Sequence, residues 1–290
     1  MTMPVTFPEV LEEDASGRTR EIYGEIKTTF GTSIVNFVWR GLAVYPDYFD
    51  AMWTQLRRNA ASRYLADKAA DARAMAVIPD GRQDLRDRLR AAGAADRIDD
   101  LRAIVDTYAS INPNILILVA ALEEGSHAIV GGHGLMPDPV SRGIRDAPSA
   151  LPMVRLDKVG PEVARVLAEV QTFHGWHGIP SVYRTIAQWP AVLRVVWTEV
   201  LQPSLRTPAT TRAANDLYWF SIAAARYLPY PVDLSHRRLE ALGVSKAHSE
   251  ELRVKLGLFH RLIPQVMVEL ARVQVALDGV TAALGRAASR

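Results

Sequence analysis

The second half of the chain repeats the first. At a fixed shift of 144 residues, Pro8 falls on Pro152, Glu25 on Glu169, Thr28 on Thr172 and Gly31 on Gly175. In the same register Arg40 meets Arg184, Ala43 meets Ala187, Pro46 meets Pro190, Trp53 meets Trp197 and Thr54 meets Thr198. Val10/Val154 and Val38/Val182 complete 11 identities over residues 8–54 with no gap, where chance gives about three. A weaker match follows at a shift of 150, with Arg88-Leu89 on Arg238-Leu239 and Gly93 on Gly243. A shift of 151 then puts Leu101-Arg102 on Leu252-Arg253 and Pro113 on Pro264. Helical periodicity alone does not align Pro, Gly and Trp. The pattern predicts a duplicated chain that packs as an intramolecular pseudo-dimer, with the cleft between its halves as the natural place for a site. The expected division is a first repeat over 1–124, a linker over 125–150 and a second repeat over 151–290.

Apolar residues recur at three- and four-residue spacing and convincing period-two strands are missing, so the expected fold is all-α without a sheet. Ser16 opens a helix that ends at Gly31. Pro46 and Pro190 each begin a helix, where the missing N–H goes unused. The run from Ala60 through Ile78 reads as continuing helix, and QDLRDRLRAAG as a short helix stopping at Gly93. Residues 96–124 read as one long helix with Pro113 inside, and ILILVAAL as its buried part. The 125–150 segment carries five Gly and three Pro and reads as the linker. The second repeat is expected to follow the same course, with kinks at Pro190 and Pro264.

Composition removes several classes of function. The 34 basic and 32 acidic residues are interspersed, so no basic patch for nucleic acid is evident. The absence of cysteine removes disulfides, thiolate nucleophiles and Cys-based zinc sites. No signal peptide is readable, and the run Ile115–Leu122 is far shorter than the roughly 20 residues of a membrane span. These readings predict a cytoplasmic protein without a membrane segment.

The chemistry-bearing residues are few. His174 and His177 in FHGWHG stand three apart, but no third ligand accompanies them, so no metal is expected. Gly131-Gly132-His133-Gly134 lacks the context of a phosphate loop. Gly175, Gly178 and Pro180 lead into a helix start at Ser181, where backbone N–H groups favour a carboxylate, although a plain turn explains the same residues. Asn112 either serves the helix break at Pro113 or points into a cleft. Arg40 and Arg184 are symmetry mates suited to ion pairs. No Ser-His-Asp arrangement is readable.

Several segments together resemble the group I 2-haloacid dehalogenases. They are the opening FPEV, RGLAVYPDYF with Trp53, RLRAAG, INPNILILVAALEE and the HG..S.Y....WPAVL run. The resemblance covers most of the chain in order and spacing. It implies an all-helical, cofactor-independent enzyme of two repeats, a small acid as substrate, and room for a homodimer. It also implies an Asn before a Pro that helps hold a water, which matches Asn112. The Asp that the family uses as general base on that water falls on Val182, between Ser181 and Tyr183. An aromatic of the first repeat falls on Ile34. Valine cannot take a proton, and a positioned base contributes about 10²–10⁴-fold.

Three readings follow. The preferred one keeps the cleft but runs other chemistry on a carboxylic acid: intramolecular displacement, elimination or isomerisation, in a pocket that Val182 and Ile34 suit to a larger substrate. The second is a hydrolytic dehalogenase whose base has moved to His177, His174 or an acid such as Glu199. The third is a non-catalytic binder of small acids. The expected site comprises Asn112, His177 and His174 as catalytic groups, with Ser181, Val182, Ile34 and Tyr183 lining it.

Overall fold

A computed structural model describes residues 8–80, 83–133, 139–140, 151–175 and 178–288. Among these residues the protein is all-α, with two isolated β-bridges and no strand. Helix α1 (Gly17–Phe30) ends on Gly31, whose φ of 59° is the left-handed cap that glycine takes without strain. A short α2 (Phe37–Leu42) is followed by α3 (Pro46–Ala60), with Pro46 in its first turn. The chain does not run on as helix from Ala60. It breaks at Ser62, whose side chain accepts from Leu65 N and caps α4 (Arg63–Met75). Helix α5 (Leu85–Ala91) leads into α6 (Ile98–Gly125), which carries Pro113 within it.

The second half presents α7 (Pro161–Phe173), α8 (Ser181–Ile186) and α9 (Pro190–Arg194). Pro190 starts α9 and does not kink it. A π-helical turn, Val195–Leu201, then leads into α10 (Gln202–Leu205), a departure from the regular helix of α3. Pro203 cannot donate to the Glu199 carbonyl one turn back. That carbonyl accepts from Arg88 Nη1 at 3.4 Å instead. Helices α11 (Pro208–Arg226), α12 (His236–Ala241), α13 (Lys246–Asp278, with Pro264 inside) and α14 (Val280–Ala288) complete the chain.

The two halves exchange their long helices. One core packs α1–α4 and the rear of α6 (Ile111 to Leu122) with α11, α12 and the front of α13. The other packs α5 and the front of α6 (Ile98 to Ala109) with α7–α10 and the rear of α13 (Leu262 to Leu277). Each core therefore draws on both sides of the 125–150 segment. Hydrogen bonds repeat at the 144-residue shift as well. Val10 N donates to Arg40 O and Val154 N to Arg184 O, both at 3.0 Å. Trp53 Nε1 donates to Glu25 at 2.7 Å and Trp197 Nε1 to Glu169 at 3.3 Å.

The span Ala95–Gly125 is long and apolar enough to cross a membrane, which the short Ile115–Leu122 run did not suggest. Its most apolar window is 78% buried within the protein, as befits a core helix.

Candidate functional site

Asn112 and Ile263, each next to the proline inside its long helix, line a cavity of ≈ 40 Å³, room for about three waters or a few substrate atoms in their place. The residues at the starts of α2 and α8 form its sides: Asn36, Phe37 and Val38 face Pro180, Ser181 and Val182. The 144-residue shift pairs these residues one to one. The long helices supply Tyr108, Asn112 and Ile115 against Phe259, Ile263 and Val266, which the 151-residue shift pairs likewise, with Leu262 between. The polar groups fall unevenly: Asn36, Tyr108 and Asn112 come from the first half and Ser181 from the second. A wider groove of ≈ 640 Å³ among Glu25, Arg57, Arg58 and Tyr230 is an open surface feature. Arg58 there is already stacked on Tyr230 at 3.8 Å.

Asn112 does not serve the helix break. Asn114 reaches back to Ser110 O at 3.1 Å, while Asn112 Oδ1 accepts from Asn36 Nδ2 at 2.8 Å across the cavity. Both asparagines are buried, and Asn36 Oδ1 has no hydrogen-bond partner among the described residues. An amide oxygen enclosed without a partner is costly unless a ligand or water completes it. Exchanging O and N on both amides leaves the same result: one donor and one acceptor face the space. Sequence reading passed over Asn36, which sits at the N-cap of α2, a place where asparagine is ordinary. The signal lies in the structure, where its side chain does not cap that helix.

Ser181 Oγ accepts from Arg40 Nη2 at 2.8 Å, so its own proton is free to be donated elsewhere. Arg40 is held by Glu9 through Nε at 2.8 Å, and Arg184 Nη1 reaches the other oxygen of Glu9 at 2.5 Å. Two buried guanidiniums share one carboxylate, which leaves an excess positive charge behind Ser181. Tyr108 meets Thr185 at 3.1 Å, and Thr185 Oγ1 donates to Ser181 O at 3.0 Å. Burial raises the Tyr108 phenol above its ordinary range. It is a neutral hydrogen-bonding group there and not a base.

The expected site assembles only in part. Asn112, Ser181 and Val182 meet at the cavity. Ile34 is buried in the second core and is not among the lining residues, so it does not enlarge the pocket. Tyr183 turns away from it, because its hydroxyl donates to Glu269 Oε2 at 2.5 Å. His174 is also directed elsewhere: Nδ1 lies 2.8 Å from Val170 O and Nε2 lies 2.9 Å from Glu269 Oε1. Burial opposes charge on that imidazole, yet Glu269 and the Val170 carbonyl raise its pKa overall. Both nitrogens are engaged, so His174 has no free lone pair for a substrate water. Glu199 is an outward residue paired with Arg194 and Arg88. His177 lies outside the described residues. No cluster of three metal-ligating side chains occurs among the described residues.

Comparison with known proteins points to 2-haloacid dehalogenases. Residues 33–174 match the family described as halocarboxylic acid dehydrogenase DehI. A configuration-inverting 2-haloacid dehalogenase of Alcaligenes xylosoxydans xylosoxydans is 28% identical over 290 residues, covering 98% of each chain. An (R)-2-haloacid dehalogenase of Pseudomonas putida is 26% identical over 274 residues, covering 90% of this chain and 89% of its own. A mutant D-2-haloacid dehalogenase solved in complex with D-2-CPA superposes with a TM-score of 0.86 at 25% identity, covering 96% of this chain and 99% of that one. Preference for intramolecular displacement, elimination or isomerisation finds no support in this company, and neither does a binder without turnover. Hydrolysis fits it better.

Proposed function

Because the chain belongs to the DehI family of 2-haloacid dehalogenases, we propose that it is a cofactor-independent enzyme that hydrolyses a short 2-halocarboxylic acid in the Asn36–Asn112 cavity. The observation that carries this reading is the asparagine pair: one amide acceptor and one amide donor in a largely apolar pocket, sized for a few atoms. A water held there can be aimed at C2 of the acid. Its oxygen forms the new C–O bond as the C–halogen bond breaks on the opposite face, so C2 inverts. The halide leaves with the bonding electrons and one proton of the water must be taken up.

Ser181 donates its hydroxyl proton to the substrate carboxylate, and the excess positive charge of Arg40 and Arg184 over Glu9 favours that anion. Phe37, Val38, Val182, Phe259 and Ile263 keep bulk water away, so the single held water competes with few others. The size of the cavity favours acids of two or three carbons over the larger substrate expected from Val182 and Ile34. His177, four residues ahead of Ser181, is the candidate proton acceptor, since histidine ordinarily titrates near neutral pH. The 144-residue correspondence, read as a duplication, explains why both faces of the cavity come from equivalent segments. A cytoplasmic setting suits such a substrate.

The test is halide release from each enantiomer of 2-chloropropionate. Wild type is expected to release halide with inversion at C2. Asn112→Ala should lower kcat about 10²–10³-fold, the loss typical of one preorganised polar group. His177→Ala should lower it about 10²–10⁴-fold. Val182→Asp, placed on the cavity wall, should restore release to the His177→Ala protein. A wild type silent toward both enantiomers would refute the substrate. An active His177→Ala protein would refute the base.

A further inference from the structure

The structure contains an internal control for one buried cluster that the reaction above does not use. His174, Tyr183 and Glu269 are each at most 3% exposed and meet on one carboxylate. Their counterparts under the 144- and 151-residue shifts are Phe30, Trp39 and Leu118, all buried in the first core. The ring packing corresponds too: Tyr183 stands edge-on to Trp197 at 5.6 Å, and Trp39 edge-on to Trp53 at 6.3 Å. The first half therefore builds this part of the scaffold without an ionisable side chain. Burying a carboxylate and an imidazole is no better for folding than apolar residues of similar volume, and is often worse. The polar version in the second half needs another reason.

Its placement supplies one. His174 follows the last residue of α7 and Tyr183 is the third residue of α8, so the two bracket the segment 174–183. That segment carries Pro180, Ser181 and Val182 to the cavity. Glu269 lies one turn beyond Val266 on α13, whose Leu262, Ile263 and Val266 form the opposing wall. One carboxylate thus pins both ends of one wall to the helix that supplies the other. We infer that His174, Tyr183 and Glu269 are positioning residues that set the width of the cavity, and are not required for the fold. The inference rests on the cavity as the site of reaction.

The experiment compares wild type with His174→Phe/Tyr183→Phe/Glu269→Leu, which copies the apolar character of the first half, and with Glu269→Gln, which keeps a hydrogen-bonding side chain in place. The triple variant is expected to melt no lower than wild type. Its amide exchange over 174–175 and 178–183 should rise 10-fold or more while the rest of the second core stays protected. Its kcat for halide release should fall at least 10-fold with a smaller change in KM. Glu269→Gln should recover part of that kcat. Wild-type exchange in the triple variant, or wild-type kcat, would overturn the inference, and so would a large drop in melting temperature. If wild type releases no halide at all, the substrate reading fails by itself, and the exchange measurement still decides the positioning role.

Discussion

Glu9 is the residue whose removal the buried charges make most consequential. Its carboxylate joins Arg40 and Arg184, whose side chains are 3% and 10% exposed while its own is 13% exposed. Replacing Glu9 by Ala strands two guanidiniums that cannot lose their protons. Among the described residues the Nε of Arg184 already has no partner, so Arg184 has little to fall back on. Breaking a buried pair from one side costs about 3–5 kcal/mol. For a chain of 290 residues the unfolding entropy is roughly 0.6 kcal/mol/K, which converts that cost to a fall of about 5–8 °C in melting temperature. The control is Glu21→Ala, which removes a partner of Arg18 at side-chain exposures of 67% and 42%. That change should move stability by less than about 1 kcal/mol. Both variants are read by circular dichroism melting and by urea titration at one ionic strength. A Glu9→Ala protein that melts within 1–2 °C of wild type, a threshold of roughly 1 kcal/mol, would refute the reasoning. It would mean that solvent reaches the two arginines as freely as it reaches Arg18.

Four further outcomes follow from particular residues. Burial would raise the pKa of Asp278, but hydrogen bonds and charge from Arg102 and Arg86, with Arg286 beside them, outweigh it and hold the carboxyl at about 2. A folded-state pKa below the unfolded one gives stability that is present above about pH 4 and is lost as pH falls through the folded value. Asp278→Asn should therefore cost about 2 kcal/mol at pH 7, with the gap to wild type closing between about pH 4 and 2 in urea titrations. Gly131 has a φ of +78°, and a Cβ there would lie 2.9 Å from Tyr230 O, so Gly131→Ala should lower stability by about 1–3 kcal/mol. Gly285→Ala, on an open helical site, should raise it by about 0.5–1 kcal/mol in the same melts. Asn36→Ala should leave the melting temperature nearly unchanged, because one buried oxygen loses its burden as another loses its partner. Its halide release should nonetheless fall about 10²-fold, and a fully active variant would remove Asn36 from the site.

Much of the helical layout was legible because its signals are local. Gly31, Pro46 and Gly93 mark ends and starts by their own backbone preferences. The run after Asn112 reads as buried because every residue from Ile115 to Leu122 is apolar. The break at Ser62 was missed because a serine inside an amphipathic run looks like a tolerated helix residue until its hydroxyl is seen on Leu65 N. The π-helical turn at Val195–Leu201 was missed because Pro203 acts on a carbonyl four residues earlier, and Arg88, which takes up that carbonyl, is far away in sequence. At the site, Asn112 could be proposed from its proline neighbour. Asn36 could not, since nothing local distinguishes it from a capping asparagine. Glu269 sits in a helix with other charged residues, and only the arrival of His174 and Tyr183 from another segment shows that it points inward. Pairing between distant segments decides each of these cases, and a single sequence records such pairing poorly.

The exchange of long helices between the cores has a consequence for synthesis. The front of α6 needs Leu262, Val266, Leu270 and Val273 of α13 as its cover. Those residues leave the ribosome some 160 residues after Leu101. At about 5–20 residues per second, the nascent chain carries an uncovered apolar helix for on the order of ten seconds or more. A half-made protein of this design is therefore a client for chaperones, however stable the finished one becomes.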